Sequence, residues 1–333
     1  VNRKPTKIQP RRRRRKKSAA MPQESTEEEL PHRARVVPFS FAHVGVFNAV
    51  LLPVRITIWV GVWVFALVAT LAYSYLRSIP GADALYRAAT KASSYILLRS
   101  AGFRVRIVGS ALADELARTT RNRHAVVSNH IAVYDPWTLM CAVGPVAFVA
   151  RQGLFGVPVV GRVLTAMGAV GVDRRATASP GGGGARREIS ERLSGESEVR
   201  WPLLIFPEGA TTTGRGIAAF RSGAFAPRAP VLPVVISYTC QSGFDLSYTD
   251  NQSTASAVLW HFLRSLLERG KTIDVRVLEP LRPTPLMRTD AATYAGAVRA
   301  AMLDAMPGAR DWHDWDNRRL RDAWYGADAA SKD

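Results

Sequence analysis

Charged and apolar residues are sharply segregated along this chain. From Ile56 to Tyr75 runs ITIWVGVWVFALVATLAYSY, 20 residues without a charge, inside a longer apolar region that begins near Val44. At ~1.5 Å per residue, a helix of that length reaches across the ~30 Å hydrocarbon core of a bilayer. Arg55 and Arg77 bracket the run, and Trp59, Trp63, Tyr73 and Tyr75 suit a membrane interface. The pattern predicts a membrane segment over 44–78. Pro53 and Arg55 divide it into a short and a longer piece. A single helix and a re-entrant hairpin broken near Pro53 therefore both stay open, as does a helix buried in a core.

Beyond residue 100 the pattern changes to short β-rich runs separated by amphipathic segments. The runs predict strands over 103–108, 124–128, 145–150, 169–172, 202–206, 231–237 and 272–278. Helical periodicity lies around 136–143, 157–167, 185–194 and 255–268, the last with Leu259, Phe262, Leu263, Leu266 and Leu267 on one face. Alternation of this kind predicts an α/β fold, with a mixed, mostly parallel sheet flanked by helices, joined to the N-terminal membrane helix or re-entrant hairpin. The glycine run 181–184 reads as a flexible loop, because no Gly-Lys-Ser/Thr follows it. The chain divides into a tail over 1–43, the membrane segment 44–78, a catalytic domain 79–310 and a polar C-terminal tail 311–333.

Charge sharpens the reading of the tail. The formal net charge is +18, and residues 1–20 supply +10 of it with no acid among them. Such a block repels itself and buries no core, so it is expected to be disordered, either as a plain solvated tail or as a partner for anionic lipid. It lacks the interleaved aromatic residues that stack on bases, and nucleic acid is not an expected partner. The two cysteines, Cys141 and Cys240, form no metal-binding or disulfide pattern, which fits a reducing compartment. No metal and no cofactor is expected. No signal peptide is visible near the N-terminus.

Three places carry candidate chemistry. Of six histidines, only His130 has an aspartate five residues on, Asp135, in SNHIAVYD. The HAVVS run puts His130 at the end of a strand, where α/β sheets gather ligands, and Asp135–Pro136 reads as N-cap and first residue of a helix. That turn can fold the carboxylate back onto the imidazole as a base and its orienting partner; otherwise Asp135 only caps its helix. The second place is LIFPEG (204–209), an apolar strand ending in an acid, Glu208, and a turn-forming Gly209. The third is GVDRR (171–175), a strand end with cations suited to phosphate. No G-x-S-x-G elbow and no H-E-x-x-H pair occurs, so serine-hydrolase and zinc-peptidase chemistry lack support.

Taken in order and spacing, Asn129-His130 with Asp135, Val172-Asp173-Arg174, Phe206-Pro207-Glu208-Gly209 and Val231-Leu232-Pro233-Val234 resemble the four motifs of the glycerophospholipid acyltransferases. Within that family the likeness is greatest to lysophosphatidylcholine and lysophosphatidylethanolamine acyltransferases. It rests on the run 206–238 and on Tyr294-Ala295, and it covers about residues 45–305. The resemblance implies that His130 is the general base, oriented by Asp135, and that Arg174, Glu208 and Gly209 help bind the acyl acceptor. Arg221 stands where the family usually has a lysine and is a candidate phosphate contact, and Arg151 is a further candidate of the same kind. Ala132 and Ala210 replace family hydroxyls, which bears on acceptor identity.

The implied activity is acyl-CoA-dependent acylation of the free hydroxyl of a lysophospholipid. Acyl-CoA is then a co-substrate, and acyl-CoA, lysophospholipid and the membrane bilayer are the expected partners. An integral or monotopic protein of the endoplasmic reticulum is implied, its catalytic domain facing the cytosol. One rival keeps the chemistry and changes the acceptor to lysophosphatidic acid or glycerol 3-phosphate. A rival of another class is an inactive membrane scaffold with a lipid- or RNA-binding tail.

Overall fold

The structure, a computed structural model, describes residues 30–31, 44, 46–157, 160–172, 184–194, 200–247 and 255–325. The basic block, Arg174 and residues 181–183 of the glycine run lie outside the described residues. The apolar region forms one continuous helix, α1 (Val46–Leu76). Pro53 sits inside it without breaking it, so the expected alternative of a hairpin broken near Pro53 does not occur. An interior proline loses one helical hydrogen bond and crowds the carbonyl four residues back, a cost that the contacts of α1 with the domain offset. By length and composition, Asn48–Leu76 is able to cross a membrane.

The helix α2 (Ala82–Ser100) runs back along α1, after Gly81 reverses the chain at φ 87°. Its buried residues are Tyr86, Ser93, Ser94, Leu97 and Leu98. Two serines on a buried face blunt the apolar periodicity, which is why the pattern alone does not reveal this helix. The rest alternates as predicted: β1 (Phe103–Val108), α3 (Ser110–Thr120), β2 (Ala125–Ser128), α4 (Asp135–Val143), β3 (Ala147–Arg151), α5 (Val160–Ala166), β4 (Val170–Val172), α6 (Gly184–Ser194) and β5 (Leu203–Ile205). Then come β6 (Gly216–Ala218), β7 (Val231–Cys240), α7 (Ala255–Leu267), β8 (Lys271–Val277), α8 (Pro285–Thr289), α9 (Ala291–Asp304), β9 (Arg310–Trp312) and α10 (Asn317–Tyr325).

Seven strands form one sheet in the order β1-β8-β7-β2-β5-β3-β4. Every neighbouring pair is parallel except β7 with β8. The inner strand β2 is buried at all four positions, as a strand covered on both faces must be. One face carries a core with Leu139, Val126, Leu232, Ile236 and Val275; the other packs Val127, Val235, Tyr294 and Val298. On α7, Leu266 is buried while Leu259 and Trp260 are exposed, so the predicted face covers the domain only at its C-terminal half.

The chain after residue 310 is not the peripheral tail expected of so polar a segment. β9 pairs with β6, α10 follows, and Trp312 and Leu320 are buried. A few apolar anchors suffice where the rest of a segment is solvated.

α1 is fastened to the domain along its length. Near its start, Asn48 Nδ2 donates to Leu267 O at 3.0 Å, while Arg55 donates to Leu266 O and, at 2.9 Å, to Asn48 Oδ1. In the middle, Trp59 meets Phe262 with ring centroids 4.8 Å apart, and Trp63 meets Trp137 at 4.7 Å. Near its end, Tyr73 stacks on Tyr86 at 4.3 Å, with Trp201 beside both. Buried Lys271, at the start of β8, donates to Ala101 O at 2.5 Å and to Ser265 O, closing the C-terminal ends of α2 and α7. Burial, with a smaller contribution from Arg55, pushes its ammonium down to about 7.

Candidate active site

The site grows out of the C-terminal end of β2. Asn129, fully buried, is locked across to β7: its Nδ2 donates to Ile236 O and its Oδ1 accepts from Ile236 N–H, both at 2.9 Å. This pair carries the β2–β7 ladder one residue beyond the strand and fixes where His130 leaves the sheet. The His130 ring is 27% exposed and lies flat on Phe206, at 4.1 Å between centroids and 15° between planes. Packed so, the imidazole has little rotational freedom, and its two nitrogens have distinct tasks.

His130 Nδ1 lies 2.7 Å from Asp135 Oδ2. The same oxygen accepts from Ile131 N–H at 2.6 Å and from Ala132 N–H at 3.0 Å. Asp135 is the first residue of α4, and Tyr134 takes the N-cap position. The expectation that Asp135 caps its own helix is corrected, because its carboxylate turns back into the preceding loop, where three donors converge. Pro136, which has no N–H to satisfy, makes that reversal inexpensive at the helix start. A carboxylate surrounded by donors is an acceptor, so Nδ1 carries the proton and Nε2 is left with its lone pair free to act as a base. The contact joins the two residues that the sequence singles out as a candidate base and its orienting partner.

Two side chains of the site escape sequence reasoning or take a different place in it. Tyr238, from β7, donates to Asp135 Oδ1 at 2.7 Å, and the Thr138 hydroxyl stands 3.1 Å from the Tyr238 oxygen. Burial and the Asp135 charge push the Tyr238 hydroxyl well above its ordinary value, so it stays a neutral donor. No motif marked it, since the contact depends on the β2–β7 register. Glu208 is fully buried. Its Oε1 accepts from His130 N–H at 3.2 Å and its Oε2 from Ala218 N–H at 2.9 Å. Burial raises its carboxyl to about 7, against the lowering effect of these two N–H groups and of Arg299. Gly209 closes the turn, donating to Phe206 O at 3.1 Å with φ at +72°, a conformation that favours glycine.

Thr212 N–H donates to His130 O at 2.8 Å, so the loop after Gly209 folds over the histidine. Arg221 is exposed, and its N–H donates to Pro207 O at 2.9 Å, which ties it to the Glu208 turn. Arg151 ends β3, paired in register with Val172. Arg174, two residues past β4, lies outside the described residues. The structure thus joins His130, Asp135, Glu208 and Gly209 in one site, with Arg221 at its margin.

Beside this site lies an apolar cavity of about 580 Å³. It starts at Val133, Pro136 and Trp137, next to Asp135, and runs between α1, α2, α4 and α5 to Met167. Trp63, Val64 and Phe65 of α1 form part of its wall, and all three are also exposed on the outside of the molecule. The cavity is thus lined both by the segment that flanks Asp135, through Val133 and Pro136, and by the apolar surface of α1.

Comparisons with known proteins point to acyltransferases. Residues 112–237, which hold His130, Asp135, Glu208 and Gly209, match the family described as Acyltransferase. A lysophospholipid acyltransferase of Arabidopsis thaliana is 33% identical over 180 residues, covering 54% of this chain and 43% of that protein. Lysophosphatidylcholine acyltransferase 1 of Homo sapiens is 25% identical over 282 residues, covering 83% of this chain and 50% of that protein. The chain spans about half the length of the curated relatives it matches. Among solved structures, the 1-acyl-sn-glycerophosphate acyltransferase of Thermotoga maritima is similar in fold, with a TM-score of 0.51 at 16% identity, covering 78% of this chain and 97% of that one. Residues 112–237 thus match the Acyltransferase family, in a chain similar to lysophospholipid acyltransferases.

Proposed function

We propose that this protein is a membrane-bound enzyme that moves a fatty acyl group from acyl-coenzyme A to the free hydroxyl of a lysophospholipid. The observation that supports the reading is the hydrogen-bonded His130–Asp135 pair on the same short segment as Val133 and Pro136, which line an apolar cavity walled in part by exposed residues of α1. A base alone fits many reactions; a base beside a chain-sized apolar cavity fits a reaction on a lipid.

His130 Nε2 takes the proton of the acceptor hydroxyl as its oxygen attacks the thioester carbonyl carbon. The C–S bond then breaks, the new ester is released, and the coenzyme A sulfur takes the proton back from the imidazolium. Asp135 stabilises that imidazolium while it exists. Holding donor and acceptor at one base supplies much of the acceleration, and general-base catalysis adds roughly 10²–10⁴-fold. Arg221 at the margin serves the acceptor phosphate, and Arg174 and Arg151 are further cations for the same purpose. Glu208 and Gly209 serve the acceptor by shaping the turn on which Arg221 is tied and by holding the loop that presents His130.

The test is release of free coenzyme A by the purified protein in detergent micelles. Lysophosphatidylcholine, lysophosphatidylethanolamine, lysophosphatidic acid and glycerol 3-phosphate are compared as acceptors. Fastest turnover on one of the first two supports the reading. Turnover on lysophosphatidic acid or glycerol 3-phosphate alone moves the substrate and keeps the chemistry, and no turnover on any of the four overturns it.

A further inference from the structure

We infer that Tyr238 is a positioning residue of the acyl-transfer site, which sets the basicity of the His130–Asp135 pair by holding the aspartate oxygen that faces away from the histidine. The inference rests on the proposed function for its kinetic arm and on geometry alone for its spectroscopic arm.

The Asp135 carboxylate is asymmetrically held. Three donors, from His130, Ile131 and Ala132, crowd onto Oδ2. Oδ1 receives the hydroxyl of Tyr238 at 2.7 Å. Asp135 has no exposed surface, so that hydroxyl does for Oδ1 what water does for a surface carboxylate. The direction of the chain follows. A carboxylate only accepts, so Tyr238 donates its one hydrogen to Asp135, and the Thr138 hydroxyl, 3.1 Å away, donates to the Tyr238 oxygen. Thr138 lies one turn along α4 from Asp135. The relay Thr138–Tyr238–Asp135–His130 therefore joins α4, β7 and the end of β2. Each bond polarises the next.

The consequence concerns a proton. The working state of the pair is a neutral imidazole beside an ionised carboxylate, and the resting acid state has one proton more. A donor on Oδ1 favours the form in which the carboxylate carries its full charge. Removing that donor therefore raises the apparent pKa at which the pair gains its extra proton, whichever of the two residues holds it. Among the described residues, the other titratable groups that act on Asp135 or Tyr238 are Glu208, which also feels Arg299, and Tyr134; both remain in place in the variants below. A tyrosine that merely filled space would leave the titration where it was.

Tyr238→Phe keeps the ring and deletes the hydroxyl. In the acyl-CoA assay, the acid limb of kcat/KM against pH should move upward by about one to two pH units, the effect of losing a hydrogen bond to a charged group. The plateau kcat should fall while KM for both substrates stays put. Thr138→Val, which removes only the far end of the relay, should move the limb the same way by less, and it keeps the test open should Tyr238→Phe fail to fold. In parallel, the His130 ring is titrated by NMR in the parent and both variants without substrate. The His130 signal should titrate at higher pH in Tyr238→Phe than in the parent, and this arm stands even if the substrate assignment fails. An unmoved His130 titration in a folded Tyr238→Phe, or in Thr138→Val if that alone folds, overturns the inference whatever happens to the rate.

Discussion

Glu208 holds His130 by its main chain and not by its ring: Oε1 accepts the His130 N–H at 3.2 Å while Oε2 accepts that of Ala218. Glu208→Gln places an amide NH₂ against one of those N–H groups, donor facing donor, so the loop carrying His130 should shift. We expect kcat to fall with KM for the lysophospholipid nearly unchanged. A large rise in KM with kcat intact would instead make Glu208 a direct acceptor contact.

The same carboxyl predicts a dependence of stability on pH. Burial raises it from 4.5 to about 7, so the folded state keeps its proton where the unfolded chain has lost it. Its stabilising contribution is complete below pH 4.5 and disappears as pH climbs to about 7, a change of about 3 kcal/mol. Denaturant unfolding at a series of pH values should show this decline in the parent and a flatter profile in Glu208→Gln. Equal slopes in the two proteins would refute it.

His130→Ala should abolish acyl transfer to within the uncatalysed remainder, a loss of roughly 10²–10⁴-fold, with little effect on unfolding. Asp135→Asn is more informative. Its carbonyl oxygen fits the pocket of three donors and its NH₂ can face the Tyr238 oxygen, so the fold is retained while the charge opposite the imidazolium is lost. Melting near the parent temperature with comparable catalytic loss is the expected pair of results. A variant that stays active would remove the His–Asp mechanism.

Arg221→Ala should raise KM for a phosphate-bearing acceptor by about one to two decades and leave KM for acyl-CoA alone, as expected from loss of a charged hydrogen bond of roughly 1.5–3 kcal/mol. Arg174→Ala belongs in the same experiment. If both KM values stay constant in both variants, neither arginine binds the acceptor.

The apolar cavity predicts acyl-chain selectivity. Ala89 lines it from α2, and Ala89→Phe should take up part of its volume. Each methylene denied burial costs about 0.8 kcal/mol, about fourfold in kcat/KM. A series of acyl-CoAs should show the loss growing with chain length, whereas a uniform loss would put the chain elsewhere.

The parts of this molecule that sequence patterning exposed are those governed by local chemistry. β2, β5 and β7 announce themselves as apolar runs because both sheet faces are covered, and the histidine with its aspartate five residues on becomes a hydrogen-bonded pair through a turn within one segment. What stayed hidden depends on distant partners. β6 and β9 are three residues each and exist only because they pair with each other, and Tyr238 reaches Asp135 only through strand register. α2 hid behind its buried serines, and the segment after 310 hid behind its polarity although Trp312 and Leu320 anchor it.

α1 should meet the bilayer lying in its interface. Its anchors to the domain run from Asn48 on α7 to Tyr73 against Tyr86 and Trp201. Those residues are about 38 Å apart along a helix rising ~1.5 Å per residue, more than the ~30 Å hydrocarbon core. Standing upright in the bilayer, α1 would drag the surfaces of α7, α4 and α2 that it touches into lipid, with their charged residues. Lying in the interface, it presents Val50, Val54, Phe65 and Val68, all more than half or close to half exposed, to the acyl chains and keeps the domain in water. Both ends of α1 then share one side of the membrane, so the basic N-terminal block and the catalytic domain face the same compartment. Single cysteines at Ser18 and Thr289, in a Cys141→Ala, Cys240→Ser background, can be probed with a membrane-impermeant maleimide on sealed vesicles. The two positions should label alike, both before detergent or both only after it, and labelling before detergent at the cytosolic face identifies the compartment that supplies acyl-CoA. Asn251-Gln252-Ser253, outside the described residues, adds a second reporter, since a glycan on Asn251 would put the domain in the lumen. One cysteine reactive and the other protected would mean that α1 crosses the bilayer, and the in-plane arrangement would be wrong.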